Sequence, residues 1–234
     1  MNRILQAARL HVVHPRVILG VPWFVVLSSF VINELIWGFG HIAEQPGASG
    51  AGTGGVLALY IAVLFVFLQS VTQLFPFAMS LGLSRRISFA GTALMALVQA
   101  VGYALALVVL TAIEDATGGW GTRLHFVAPL HIDRLPVIEQ FALFFCLMLG
   151  FMLLGIAIGA VQKRWGAAGL YSLAIGAVLV LGGAAVVLTA LGDWLEFGQW
   201  FVGTPALALA AIYLAIAGVV SAGLSWSGLR RAVP

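Results

Sequence analysis

Apolar residues run along this chain in long unbroken blocks, without the alternation that a water-facing surface imposes. Six blocks contain no lysine or arginine: 17–37, 56–76, 91–113, 138–161, 168–191 and 204–226. Each reaches the roughly 20 residues an α-helix needs to cross about 30 Å of hydrocarbon. The short period-two segments of a membrane β-barrel are absent. The expected fold class is an all-α integral membrane protein with six transmembrane helices, forming one domain over 17–234 behind a basic segment, 1–16. In that segment Ile4, Leu5, Ala8 and Val12 share one helical face, and Arg3, Gln6 and His14 lie elsewhere. This is the pattern of an interfacial helix; a basic tail that only sets topology fits the same residues.

Composition narrows the class. Of 234 residues, 62% are hydrophobic and 8% are charged, against about 25% charged in a soluble domain. A soluble globular fold and a disordered chain are both excluded. The single cysteine, Cys146, rules out an internal disulfide framework and a cysteine-based zinc site. The net charge of +3 matters less than its distribution, and nucleic acid is not an expected partner.

Charge sets the expected orientation. Arg3, Arg9, Arg16, Arg85, Arg86, Lys163, Arg164, Arg230 and Arg231 fall on one side of a six-span arrangement, and only Arg123 and Arg134 on the other. All eight carboxylates fall on or near the second side. A lysine and arginine excess marks cytoplasmic loops, so both termini are expected in the cytoplasm. Trp37, Trp194 and Trp200 at outer ends, with Trp165 and Trp226 at inner ends, read as an aromatic belt.

Between the spans, Gly47–Gly55 is glycine-rich without a Gly-Lys-Ser/Thr ending, hence a flexible linker and not a phosphate cradle. The segment from Glu114 to Val137 is the longest outer loop and has room for a small cap. Gly192–Gly203, with Trp194, Leu195, Phe197, Trp200 and Phe201, suits an interfacial half-turn or a shallow re-entrant segment. No Walker A sequence, His-Glu-x-x-His or Gly-x-Ser-x-Gly occurs. His125, His131 and Asp133 could meet at a metal only if their loop folded back, and loop polar residues are the plainer reading; no metal is expected. Glu34, near the outer end of span one, is an interfacial carboxylate or the one ionisable group of a path. The remaining intramembrane polar groups are amides and hydroxyls. Gln69 and Gln73 are four apart, Gln99 lies in span three, and Asn33 in span one. They read either as interhelical hydrogen bonds or as the lining of a cargo path. Gly155-x-x-x-Gly159 permits close helix contact.

Two inner loops are alike. Leu83-Ser-Arg-Arg-Ile-Ser-Phe-Ala-Gly91 and Val161-Gln-Lys-Arg-Trp-Gly-Ala-Ala-Gly169 each place a basic pair five residues ahead of a glycine that opens the next span. Such pairs anchor a turn at anionic headgroups and also offer a handle to a cytoplasmic partner.

The stretch Phe75-Pro-Phe-Ala-Met-Ser-Leu-Gly-Leu-Ser-Arg-Arg-Ile-Ser-Phe-Ala-Gly-Thr92 resembles the second-to-third-span region of bacterial ABC-2 type transporter permeases, in the short six-span version frequent in actinobacteria. Leu154-Gly-Ile-Ala-Ile-Gly-Ala-Val-Gln-Lys-Arg-Trp-Gly166 resembles the exit of their fourth span. The resemblance implies a permease subunit of an ATP-binding-cassette exporter in the bacterial cell membrane, without enzyme activity of its own. It implies a cytoplasmic ATPase subunit that holds the ATP and Mg2+, and a second permease copy or paralogue. Gly82, Leu83, Ser84, Arg85 and Arg86 would correspond to the coupling helix, and the N-terminal segment to the connecting helix. The mostly apolar interior suits a hydrophobic or amphipathic cargo, with Gln69 and Gln73 facing it. A membrane anchor without transport activity and a small secondary transporter are the alternatives.

Overall fold

The apolar blocks fold as helices, and the outward faces of those helices are as apolar as the inward ones. The computed structural model describes residues 19–40, 52–80, 82 and 84–229. The basic segment 1–16, Gly47–Ala51, Leu83, Arg230 and Arg231 lie outside the described residues.

Helix α1 spans Gly20–Phe39. Helix α2, Leu57–Gln69, runs through a π-helical stretch, Ser70–Leu74, into α3, Phe75–Ser80. Helix α4 spans Arg85–Ala116, α5 Val137–Leu191, α6 Trp194–Gly203 and α7 Ala206–Leu229. Four helical stretches are long and apolar enough to cross a membrane, and a fifth crossing is available if the bent pair at the C-terminal end counts as one. The chain is a multi-pass, all-helical membrane protein.

Two boundaries depart from the apolar blocks. The second span continues past Pro76 to Ser80. A proline inside a helix lacks an N–H and clashes with the carbonyl four residues back. The π-helical turn just before it widens the backbone there. Hydroxyls of Ser70 and Thr72 bond back to the carbonyls of Val66, at 3.0 Å, and Leu68, at 3.2 Å. The expected fourth and fifth spans are joined in the single 55-residue helix α5. At 1.5 Å per residue a straight helix of that length would measure about 80 Å, well beyond one bilayer. The helix is interrupted at Gly166, whose φ of 59° and ψ of −145° are not helical.

The first half of α5 is the hub. Leu143, Phe144, Met148, Met152 and Ile156 are buried against Leu59, Tyr60, Val63 and Phe67 of α2 and Ala96, Ala100 and Leu107 of α4. Small residues set the spacing. A Cβ on Gly155 would overlap the Leu64 carbonyl oxygen, and one on Gly159 would lie 2.8 Å from that of Leu68. The α2 and α5 backbones are thus in direct contact across the glycine pair, which is how helices without a hydrophobic drive between them gain packing. On the other side, Gly150 seats the ring of Tyr213, and Ser221 Oγ donates to the Leu153 carbonyl at 3.0 Å. Beyond Gly166, by contrast, α5 is bare: Tyr171 is 70% exposed and Leu181 71%.

Helix α6 replaces the expected half-turn between the last two spans. The α5 helix stops at Gly192, in the left-handed conformation at φ 78°, with its N–H and that of Asp193 both on the Leu188 carbonyl. The α6 axis is bent by 105° from that of α7, and Trp194, Leu195, Phe197, Trp200 and Phe201 are all exposed along it. An aromatic helix perpendicular to a span is the geometry of an interfacial segment.

Replacing Gly155 with valine should separate α2 from α5 and destabilise the bundle by about 1–3 kcal/mol, the usual range for overpacking. Gly176→Ala, inside the same helix where a Cβ meets nothing within 4 Å, should not destabilise the bundle and should raise stability by up to about 1 kcal/mol through helix propensity. Unfolding followed by circular dichroism in detergent would measure both.

Candidate functional site

Helix α4 has its polar residues on the inside. Ser88, Thr92, Gln99, Tyr103, Thr111 and Glu114 are all buried, with Ala96, Ala100, Ala104 and Leu107 between them on the same face. Leu97, Val98, Val101, Leu105, Val109 and Ile113 point outward. Spacings of three and four keep the first set on one stripe, which extends over about 39 Å of helix at 1.5 Å per residue. A water-soluble helix would show the reverse. Thr92 Oγ1 donates to the Ser88 carbonyl at 3.2 Å, whereas Gln99 Nε2, Tyr103 OH and Thr111 Oγ1 are buried side-chain groups without a partner among the described residues. Tyr103 also packs on Trp23 of α1, with ring centroids 5.7 Å apart.

At the C-terminal end of the stripe stands Glu114, 1% exposed. It lies in the last turn of α4, where the outer loop was expected to begin, and it is the centre around which that loop folds. Its Oε2 accepts from Trp120 Nε1 at 2.8 Å, from Phe126 N at 2.9 Å and from Val127 N at 2.8 Å. Its Oε1 accepts from Ala128 N at 3.1 Å, with His125 Nδ1 at 3.9 Å. A buried carboxylate is tolerated only when its oxygens are satisfied, and here four N–H groups converge on it.

The backbone that delivers those donors is unusual. Gly118, Gly119 and Gly121 have positive φ, and so do Trp120 at 58° and Arg123 at 60°. Left-handed backbone is available to glycine at little cost, but a non-glycine residue there stores about 1–3 kcal/mol. Trp120 is held by its bond to Glu114 and by Phe30 of α1, whose ring centroid lies 5.0 Å away, edge to face. Phe30 meets Phe126 in the same way at 5.2 Å. The cap also fixes the end of the glycine-rich stretch that the sequence presents as a flexible linker. Thr53 N donates to the His125 carbonyl at 3.1 Å, Ser29 Oγ donates to the Gly55 carbonyl at 3.0 Å, and a Cβ on Gly55 would overlap the Phe126 ring. Only glycine fits there.

The sequence-derived candidates are scattered. Gln99 belongs to the buried stripe. Asn33 is half-buried near the cap and donates to the Ser29 carbonyl at 2.8 Å. Gln69 and Gln73 are exposed on the outer surface of the bundle, away from the stripe. Glu34 is half-buried, and its Oε2 has no partner among the described residues. Among the described residues, no three His, Cys, Asp or Glu side chains come together as a metal site; the His131 side chain lies outside them, and the Asp133 carbonyl accepts from Gln140 Nε2 at 3.1 Å. Just ahead of α4, Gly82 turns the chain at φ 75°, its N–H on the Met79 carbonyl at 3.0 Å. Ser84 caps α4: its Oγ accepts from Ile87 N at 3.4 Å and its carbonyl from Ser88 N at 3.0 Å. Arg85 and Arg86 are the first two residues of α4. The two basic pairs therefore differ, one opening a helix and the other, Lys163-Arg164, closing the first half of α5 before Gly166.

Glu114 and its turn are what the sequence reading passed over. The signal available was a carboxylate one helical turn ahead of Gly118-Gly-Trp-Gly121, a glycine cluster able to fold the backbone back over it. Compared with family models, with curated proteins and with solved structures, the chain matches none.

Substituting Glu114 with alanine should leave the N–H groups of Phe126, Val127 and Ala128 buried and unpaired. Loosening equivalent to about 1–3 kcal/mol follows, so hydrogen exchange at these amides should accelerate by about tenfold to a hundredfold. Glu114→Gln, which turns an NH2 toward N–H donors, should fall between alanine and the parent chain.

Proposed function

We propose that this chain is the membrane-spanning permease subunit of an ATP-driven exporter in the bacterial cell membrane, paired with a separate cytoplasmic ATPase and a second permease copy or paralogue. The observation that carries the reading is the continuity of α4. This one helix of 32 residues starts at a tight basic turn, carries the buried polar stripe and ends in the carboxylate that organises the outer cap. A displacement applied at Gly82–Arg86 is passed along α4 as along a rod, because Ser84 fixes the turn to the first helical turn. The nucleotide and its Mg2+ belong to the partner. ATP closure there would bias the subunit between inward and outward access, in proportion to the difference in ATP affinity between the two states.

Six spans with both termini inside is the topology that goes with this reading. Breaking α5 at Gly166 yields two stretches each long enough to cross. It also puts Lys163-Arg164 on the same side as Arg85-Arg86, as the charge asymmetry requires. The α6 helix stands between the last two spans, where such permeases often carry sizeable re-entrant helices; at 10 residues it is short for that, and the chain departs from the family there. Gln69 and Gln73 are two amides on a lipid-exposed surface, where polar groups are unfavourable. A second permease copy covering them would turn them into the walls of a cargo seam between subunits, suited to an amphipathic or hydrophobic molecule.

A carboxylate-driven secondary transporter is the second reading, and the buried Glu114 is what favours it. Against it stands the saturation of that carboxylate. Both oxygens are held by fixed N–H donors, which compete with a passing cation for the same lone pairs.

Gentle purification of the tagged chain should bring down an ATPase and a second permease chain, and the chain freed of them should not hydrolyse ATP. The double variant Arg85→Gln, Arg86→Gln should insert normally but lose most of its ATPase association; full assembly and transport by that variant would exclude the coupling role. In a Cys146→Ala background, cysteines at Ser80 and Ala167 should react only with cytoplasmic reagent and one at Thr122 only with external reagent. External labelling at Ser80 would overturn the six-span arrangement.

A further inference from the structure

The elbow of α5 carries a feature that transport does not use. At Gly166 the backbone enters a conformation essentially confined to glycine. Beside the bend lies a cavity of about 540 Å3 lined by Val161, Trp165, Ala168, Gly169, Ser172 and Leu173. The lining is apolar except for the Ser172 hydroxyl, which is already committed to the Gly169 carbonyl at 3.0 Å. Arg164 directly precedes Trp165 of this lining, and Lys163 lies one residue further back in the same turn of α5. The Arg164 guanidinium lies 4.3 Å from the centroid of the half-exposed Trp165 ring, and a guanidinium stacked in this way keeps in-plane N–H groups free for oxygen acceptors. Lys163 is exposed. Between Glu139 and Asp193 the sequence has no carboxylate to neutralise the pair.

We propose that this elbow binds one anionic phospholipid, with an acyl chain in the cavity and the phosphate between Lys163 and Arg164. Each half of the site selects against other occupants. A small anion makes no use of the apolar cavity, and a zwitterionic lipid leaves the two cations uncompensated. Basic residues next to a span attract anionic headgroups; what is particular here is the cavity directly beside them. The inference is independent of the transport reading, since it rests on α5 alone.

The test uses the whole chain in discs of phosphatidylcholine with and without phosphatidylglycerol, transferred to detergent and weighed with its retained lipid by native mass spectrometry. One phosphatidylglycerol per chain should be retained, in preference to phosphatidylcholine by about thirtyfold, as two near-surface charges predict. Lys163→Gln with Arg164→Gln should bring the two lipids to parity. Ala168→Phe, which fills the cavity, should reduce retention of both. Equal retention of the two lipids by the unaltered chain overturns the proposal, and that comparison needs no variant to fold. Complete displacement by inorganic phosphate would also overturn it, since a site for phosphate alone has no need of the cavity.

Discussion

Four N–H groups on one buried carboxylate hold the capped end of this bundle together. Glu114 is the last polar member of the α4 stripe and the acceptor for Trp120, Phe126, Val127 and Ala128. Without it the turn at 118–123 has no reason to stay left-handed. Without that turn, Phe126 does not reach Phe30, and the His125 carbonyl does not reach Thr53. The cap is therefore the folding of three segments around one charge. The exchange is favourable because charge-assisted bonds to backbone N–H groups are among the stronger hydrogen bonds available, and because the donors would otherwise be buried unpaired.

The rest of the bundle follows a different rule. Lipid is as apolar as leucine, so burying a large apolar side chain gains little over leaving it outside. The interior is accordingly built from close approach. Gly155 and Gly159 let α2 lie on α5, Gly150 admits Tyr213, and alanines line α4. Polar side chains gather inward because lipid cannot hydrogen-bond them. The inverted faces of α4 are the direct expression of that solvent.

These two rules explain what the sequence made legible. Length and hydrophobicity mark where helices run, so α1, α4 and α7 start or end within a few residues of the apolar blocks. The glycine pair of α5 is local chemistry, and it makes the close helix contact that its spacing permits. What hydrophobicity cannot do is orient a helix whose two faces are equally apolar. Gln69 and Gln73 share a face by spacing, but nothing in α2 says which way that face looks, and it looks outward. The π-helical turn at Ser70–Leu74 is invisible for a related reason: Pro76 signals a break, and the backbone answers by widening. Glu114 escaped because carboxylates inside a membrane protein are rare, and the loop is the default place for one. Its donors lie several to 14 residues ahead on irregular backbone, which no helical or strand period encodes.

The contact between Gly52 and His125 also sets an order of assembly. Its two sides are separated by roughly 70 residues and by two membrane-crossing stretches, α2–α3 and α4. At about 5–20 residues per second, the segment around Gly52 waits several seconds after synthesis before its partner exists. During that interval the Ser29 hydroxyl and the Gly55 carbonyl can already pair, because both are made early, but Phe30 has no aromatic partner from the cap. The capped end is thus closed only when α4 is complete and Glu114 has drawn the following turn over it. The end of α4 serves as the timing event for that whole end of the bundle.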